Sequence, residues 1–131
     1  MTGTPPTAFD LQTTYLDLAG DGSARAIAVT SDFWAALARG DERVEGRMVA
    51  VFPMSEDWPH WERHPAGDEL VYCLSGALDL VLDLPAGERT VSLSAGKGVL
   101  VPTGVWHRGV IREPGDCLFV IPGEGTEHRP R

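Results

Sequence analysis

From Glu45 onward the apolar residues fall into short runs: RMVAVF, ELVYCL, ALDLVLDL, TVSL, GVLVP, GVI and CLFVI. Turn-forming residues separate them, among them Ser75-Gly76, Pro85-Ala86-Gly87, Pro102-Thr103-Gly104 and Pro114-Gly115-Asp116. Short strands with turns about every 8–12 residues predict a sandwich or barrel. In ALDLVLDL, Leu78, Leu80, Leu82 and Leu84 alternate with Asp79 and Asp83, the period of a half-exposed antiparallel strand. Upstream, a strand is predicted within Phe9–Leu18, before the Gly20-Asp21-Gly22 turn, and another over Ala26–Thr30. One helix is predicted in SDFWAALARG, with Ser31 as its cap, Trp34, Leu37 and Ala38 on one face and Gly40 ending it. The pattern is all-β with one short helix.

Length and charge narrow the classes. A chain of 131 residues fits one compact domain. Residues 1–8 are rich in Thr and Pro and read as a disordered arm, 9–122 as the domain, and 123–131 as a loose polar tail. The net charge of −8 and the scattered basic residues repel a phosphate backbone or an anionic membrane surface. Neither nucleic acid nor membrane is therefore an expected partner. No apolar run approaches the ~18 residues of a membrane span, and the first residues do not read as a signal peptide; the expected location is cytoplasmic. Cys73 and Cys117 lie inside strand-like runs, without thiolate-metal spacing, and read as buried reduced thiols.

Two patches carry candidate chemistry. The first is HWERHPAGDE, residues 60–69, which holds two of the chain's four histidines. In an extended strand His60, Glu62 and His64 share one face, with Trp61 and Arg63 on the other. Residues i and i+2 stand about 6.6 Å apart, near enough for both side chains to reach one ion; i and i+4 do not. Glu62 with His64 is the natural ligand pair, and His60 with Glu62 the alternative. The second patch is GKGVLVPTGVWHR, where a turn at Pro102–Gly104 delivers His107 to the next strand. Trp58, Trp61 and Trp106 flank the patches and suit either pocket walls or end packing. Tyr72 reads as core or dimer packing, Arg63 and Arg108 as outward and solvated, and His128 as part of the tail.

The patches resemble the two cupin motifs, G-x5-H-x-H-x3–4-E-x6-G and G-x5-P-x-G-x2-H-x3-N, over roughly residues 45–122. His64, Glu69 and Gly76 match the first; Gly96, Pro102, Gly104 and His107 match the second. Glu62 stands where the first motif's leading histidine would be, its opening glycine is absent, and Ile111 replaces the final asparagine. The resemblance implies an antiparallel double-stranded β-helix, the jelly-roll barrel, holding one metal inside. Carried over, the ligands are Glu62, His64, Glu69 and His107, and the ion is a divalent Fe, Mn, Zn or Ni. Two imidazoles with two carboxylates suit such an ion; a metal-free polar pocket is the other reading of the altered motif. The resemblance further implies a metal-dependent enzyme of dioxygenase or isomerase type acting on a small organic molecule, with Glu62, Glu69 and His60 as catalytic candidates. The alternative is a non-catalytic binding or sensing module. A homodimer is expected, through the N-terminal strand or the Tyr72 face.

Overall fold

A computed structural model describes residues 6–131. Most of the arm expected over residues 1–8 therefore lies outside the described residues. Eleven strands and one helix follow in chain order: β1 (Thr14–Leu18), β2 (Ala24–Ala28), α1 (Phe33–Arg39), β3 (Arg47–Met54), β4 (His60–Arg63), β5 (Glu69–Cys73), β6 (Ala77–Leu84), β7 (Gly87–Ser94), β8 (Gly98–Val101), β9 (Trp106–Glu113), β10 (Gly115–Pro122) and β11 (Glu127–Pro130). They form a six-stranded sheet, β2-β1-β3-β10-β5-β8, and a five-stranded sheet, β11-β4-β9-β6-β7. All pairings are antiparallel. The all-β jelly roll with one short helix is the observed architecture, except that the sheets face each other without closing into a barrel.

The core follows from the alternation of side chains along each strand. Val71, Cys73, Leu78, Leu80, Leu82, Leu93, Val101, Cys117 and Phe119 fill the space between the sheets. A second cluster, with Tyr15, Ile27, Phe33, Met48 and Ala50, seats α1 at one end. Cys73 and Cys117 face each other across β5 and β10 as free thiols, and burial pushes the Cys117 thiol up to about 12.

Four expectations give way. Residues 127–130 are not a loose tail: they form β11 and add an edge to the second sheet through β4. Asp79 is not on an exposed face, because Ser92 on β7 and Arg112 on β9 bind its carboxylate and leave it 4% exposed. Ser31 does not cap the helix: Asp32 holds that position, without a side-chain bond, although Gly40 ends the helix in the left-handed conformation. Arg63 and Arg108 point outward but are not simply solvated. Their guanidinium groups lie 4.7 Å from the Trp106 ring and 5.1 Å from the Trp61 ring. Among the described residues, no helix is long and apolar enough to cross a membrane.

Candidate metal centre

Glu62 and His64 come from β4 and the residue just after it, His107 from the start of β9, and Glu69 from the start of β5. Glu62 and His107 belong to the five-stranded sheet, His64 directly follows its β4, and Glu69 belongs to the facing sheet, so the site bridges the two. Alternation on β4 sends Trp61 outward and Glu62 inward. Glu62 stands opposite His107 in the β4–β9 register.

The turns that bring the two patches together are tied to each other. The Gly104 N–H donates to the His64 carbonyl at 3.0 Å. Asp68 Oδ1 accepts from the Thr103 N–H at 2.9 Å and its hydroxyl at 2.8 Å. These bonds hold the Asp68 carboxyl below its ordinary range. Gly104 has φ 75°, which a residue with a Cβ adopts only under strain. The spacing of proline and glycine before His107 is therefore the spacing of a turn that docks on the first patch.

One ligand atom from each of Glu62, His64, Glu69 and His107 lies within 4.8 Å of all the others. His64 Nε2 is 3.0 Å from Glu62 Oε1 and 3.3 Å from Glu69 Oε1, and His107 Nε2 is 2.7 Å from Glu69 Oε1. His64, Glu69 and His107 are buried, with His107 at 0% exposure. Yet His64 Nε2, both Glu69 oxygens and His107 Nε2 have no hydrogen-bond partner. His107 Nδ1 donates its proton to the Val105 carbonyl at 3.0 Å, so Nε2 presents a lone pair. Lone pairs thus confront lone pairs at short range, which is unfavourable unless a positive charge sits between them. On a coordination shell with bonds of about 2.1 Å, adjacent ligand atoms stand about 3 Å apart. The observed spacings bracket that value, and the donor set of two imidazoles and two carboxylates fits a divalent ion.

Without a metal, a proton takes that place. Burial pushes His64 down, but the Glu62 and Glu69 carboxylates outweigh it and hold the imidazolium up to about 9. Burial likewise raises Glu62, and His64 together with the other nearby histidines brings it below its ordinary value. An ion entering the site displaces the His64 proton.

The site opens on one side. A cavity of about 760 Å³ reaches Glu62, His64, Thr126 and His128, with Trp34, Leu37, Met48, Phe52 and Ile121 among its apolar walls. A smaller space of about 270 Å³, lined by Trp58, His60 and Phe119, shares Glu62 and His128 with it. Of the three flanking tryptophans only Trp58 lies near the site, its ring 6.0 Å from that of His107. Trp61 and Trp106 stack with arginines instead. His60 is exposed at the mouth, outside the four-residue cluster, with its ring 6.2 Å from His128.

Sequence reasoning missed two residues. His128 Nε2 lies 3.2 Å from Glu62 Oε2, and Thr126 Oγ1 lies 2.9 Å from His64 Nδ1. Both arrive on the C-terminal segment. The available signal was chemical complementarity: read antiparallel, EHRP opposes HWER as Glu127 with Arg63, His128 with Glu62 and Arg129 with Trp61.

The family model described as "Cupin domain" matches residues 48–121. Similar solved structures include a cupin-2 domain containing protein from Shewanella frigidimarina, with a TM-score of 0.51 at 18% identity over 62% of this chain and 74% of that one. They also include oxalate decarboxylase from Bacillus subtilis, a protein with Mn(II) centres, with a TM-score of 0.56 at 19% identity over 66% of this chain. The match spans 24% of the decarboxylase, about a quarter of its length. At these identities the likeness is one of fold. No curated protein sequence matches the chain.

Proposed function

The chain belongs to the cupin family, and from that membership we propose that it holds one divalent metal ion, Fe, Mn, Zn or Ni, on Glu62, His64, Glu69 and His107, and acts on a small organic molecule in a dioxygenase-type or isomerase-type reaction. The observation that supports this most strongly is the buried convergence of four lone-pair donors beside an open cavity. A bound ion of this kind supplies Lewis acidity and open coordination positions for substrate. The rest falls to the chain's own residues. Met48, Phe52 and Ile121 exclude water from one side of the substrate space. Glu62 is the ligand with one oxygen turned outward, toward His128 at the cavity, so it is the carboxylate placed to exchange a proton with a bound molecule. Glu69, at 1% exposure, faces only the cluster and serves as a ligand. His60 stands at the mouth as a further proton donor or acceptor.

The cavity also speaks to the substrate. Its one guanidinium, Arg43, is already opposed by Glu124 at 3.8 Å, and Glu42 adds a second carboxylate. Among the described residues no unopposed guanidinium there favours a small dianion, and the apolar walls favour an uncharged body carrying a chelating diketone, enediol or phenol end. Protein reconstituted with each of the four metals is expected to consume dioxygen with, or isomerise, a member of such a panel, and to lose that turnover in His107→Ala. Binding without any chemistry across the panel would leave the second reading, a non-catalytic binding module, which the replacement of the motif histidine by Glu62 and of its asparagine by Ile111 favours.

For the quaternary state we propose a homodimer through the outer face of the six-stranded sheet. Ala26, Leu16, Val49, Val120, Leu70 and Leu100 form one register row across all six strands. Antiparallel sheets usually keep one face polar; here the row carries no charge, and Leu100 is 66% exposed. Six strands of four to eight residues offer about 400–800 Å², up to the ~800 Å² per partner of a standard interface. Light scattering should give twice the 14.1 kDa of one chain, and the double substitution Leu70→Glu with Leu100→Glu should halve it. A monomeric wild type sinks the proposal.

A further inference from the structure

We infer that Arg129 and Thr126 are positioning residues for the metal centre, acting through the C-terminal strand; the inference rests on the metal reading above. β11 is a four-residue edge strand paired with β4 alone. So short an edge pairing is marginal by itself, and its ladder opens readily unless side chains hold it.

The outer face supplies that hold. The Arg129 guanidinium lies 5.1 Å from the Trp61 ring and 4.6 Å from the Trp106 ring, in contact with both, and reaches Asp83 Oδ2 at 2.7 Å. One step along the strand, Glu127 receives Arg63 at 3.1 Å on both oxygens, while Arg63 itself lies over Trp106. These contacts tie β11 to β4, β6 and β9 at once.

The inner face carries the consequence. Alternation turns His128 inward when Arg129 points outward, and a slip of one residue would exchange them. In the observed register His128 meets Glu62, and Thr126, just before the strand, meets His64 Nδ1 at 2.9 Å. For Nε2 of His64 to face the site as a ligand, Nδ1 must carry the proton and donate it to the Thr126 hydroxyl. That bond fixes the ring's rotation and tautomer. Loss of such a partner to a metal-binding histidine typically costs 10–100-fold in affinity. The clamp on one face of the sheet therefore sets the aim of a ligand on the other.

The test uses the full chain and cobalt(II), followed by its visible absorption and by calorimetry, beside backbone hydrogen exchange. Wild type is expected to bind one equivalent. Thr126→Val is expected to bind about 10–100-fold more weakly with exchange at the 127–129 amides unchanged. Arg129→Ala is expected to weaken binding similarly and to speed that exchange, with Arg129→Lys recovering only part, since an ammonium keeps the charge toward Asp83 but not the planar stack. Faster exchange in Arg129→Ala with cobalt affinity within twofold of wild type would overturn the inference, as would no change in either. If wild type takes no cobalt, the metal reading fails, and the positioning claim is then decided by NMR of the His64 Nδ1–H. That proton should be protected from solvent in wild type and unprotected in both Thr126→Val and Arg129→Ala; protection persisting in Arg129→Ala refutes it.

Discussion

His107→Ala is expected to abolish divalent-metal binding, weakening it by more than about 100-fold, beyond the range seen for losing a ligand's supporting bond. The ring is fully buried, its Nδ1 is committed to the Val105 carbonyl, and its Nε2 lies 2.7 Å from Glu69 Oε1. No other described side chain reaches that corner of the cluster. Removing it also leaves Glu69, 1% exposed, with His64 as its only imidazole neighbour in the cluster. Thermal unfolding reads both effects. With metal at about a hundred times the dissociation constant, wild type gains about 2.7 kcal/mol. For a domain of this size that is about 10 °C in Tm. The variant is expected to show no metal-dependent gain, and a lower Tm than metal-free wild type. A variant that keeps most of the metal-dependent rise would remove His107 from the ligand set.

Gly76→Ala is expected to be strongly damaging, because at this glycine a positive φ and a close backbone approach coincide. Gly76 sits at φ 76° in the turn between β5 and β6. A Cβ there would lie 2.6 Å from the carbonyl oxygens of both Glu113 and Pro114. The left-handed backbone costs about 1–2 kcal/mol for a residue with a Cβ, and the forced separation of two turns adds about 1–3 kcal/mol. The Ser75-Gly76 and Pro114-Gly115 turns are in turn held by the Leu74 N–H donating to the Asp116 carbonyl at 2.9 Å and the Asp116 N–H donating to Ser75 Oγ at 2.9 Å, so neither can retreat freely. Urea unfolding should show a loss of about 2–5 kcal/mol with little change in slope. A loss under about 1 kcal/mol would mean that the turns separate easily, contrary to this account.

The motif glycine and the motif histidine were legible in the sequence because their reasons are local. A turn needs its glycine at a fixed place, and a strand that leaves that turn presents its side chains at fixed alternate positions. The same holds for Leu78, Leu80 and Leu82, whose period-2 spacing survives as one wall of the core. What the sequence did not show depends on partners far along the chain. Asp79 looks like a surface residue until β7 and β9 bring Ser92 and Arg112 to it. Arg63 and Arg108 look solvated until β9 and β4 bring Trp106 and Trp61 beneath them. His128 and Thr126 were invisible because four residues of a polar tail carry no hydrophobic period, and only their pairing with β4 turns them toward the site.

Elemental mass spectrometry of untagged protein, wild type beside His64→Ala and His107→Ala, tests the central claim most directly. Wild type should hold close to one equivalent of a single divalent transition metal, and neither variant any. A wild type that is metal-free as purified and also refuses added Fe, Mn, Zn and Ni would contradict it, and would make HWERHPAGDE the rim of a polar pocket.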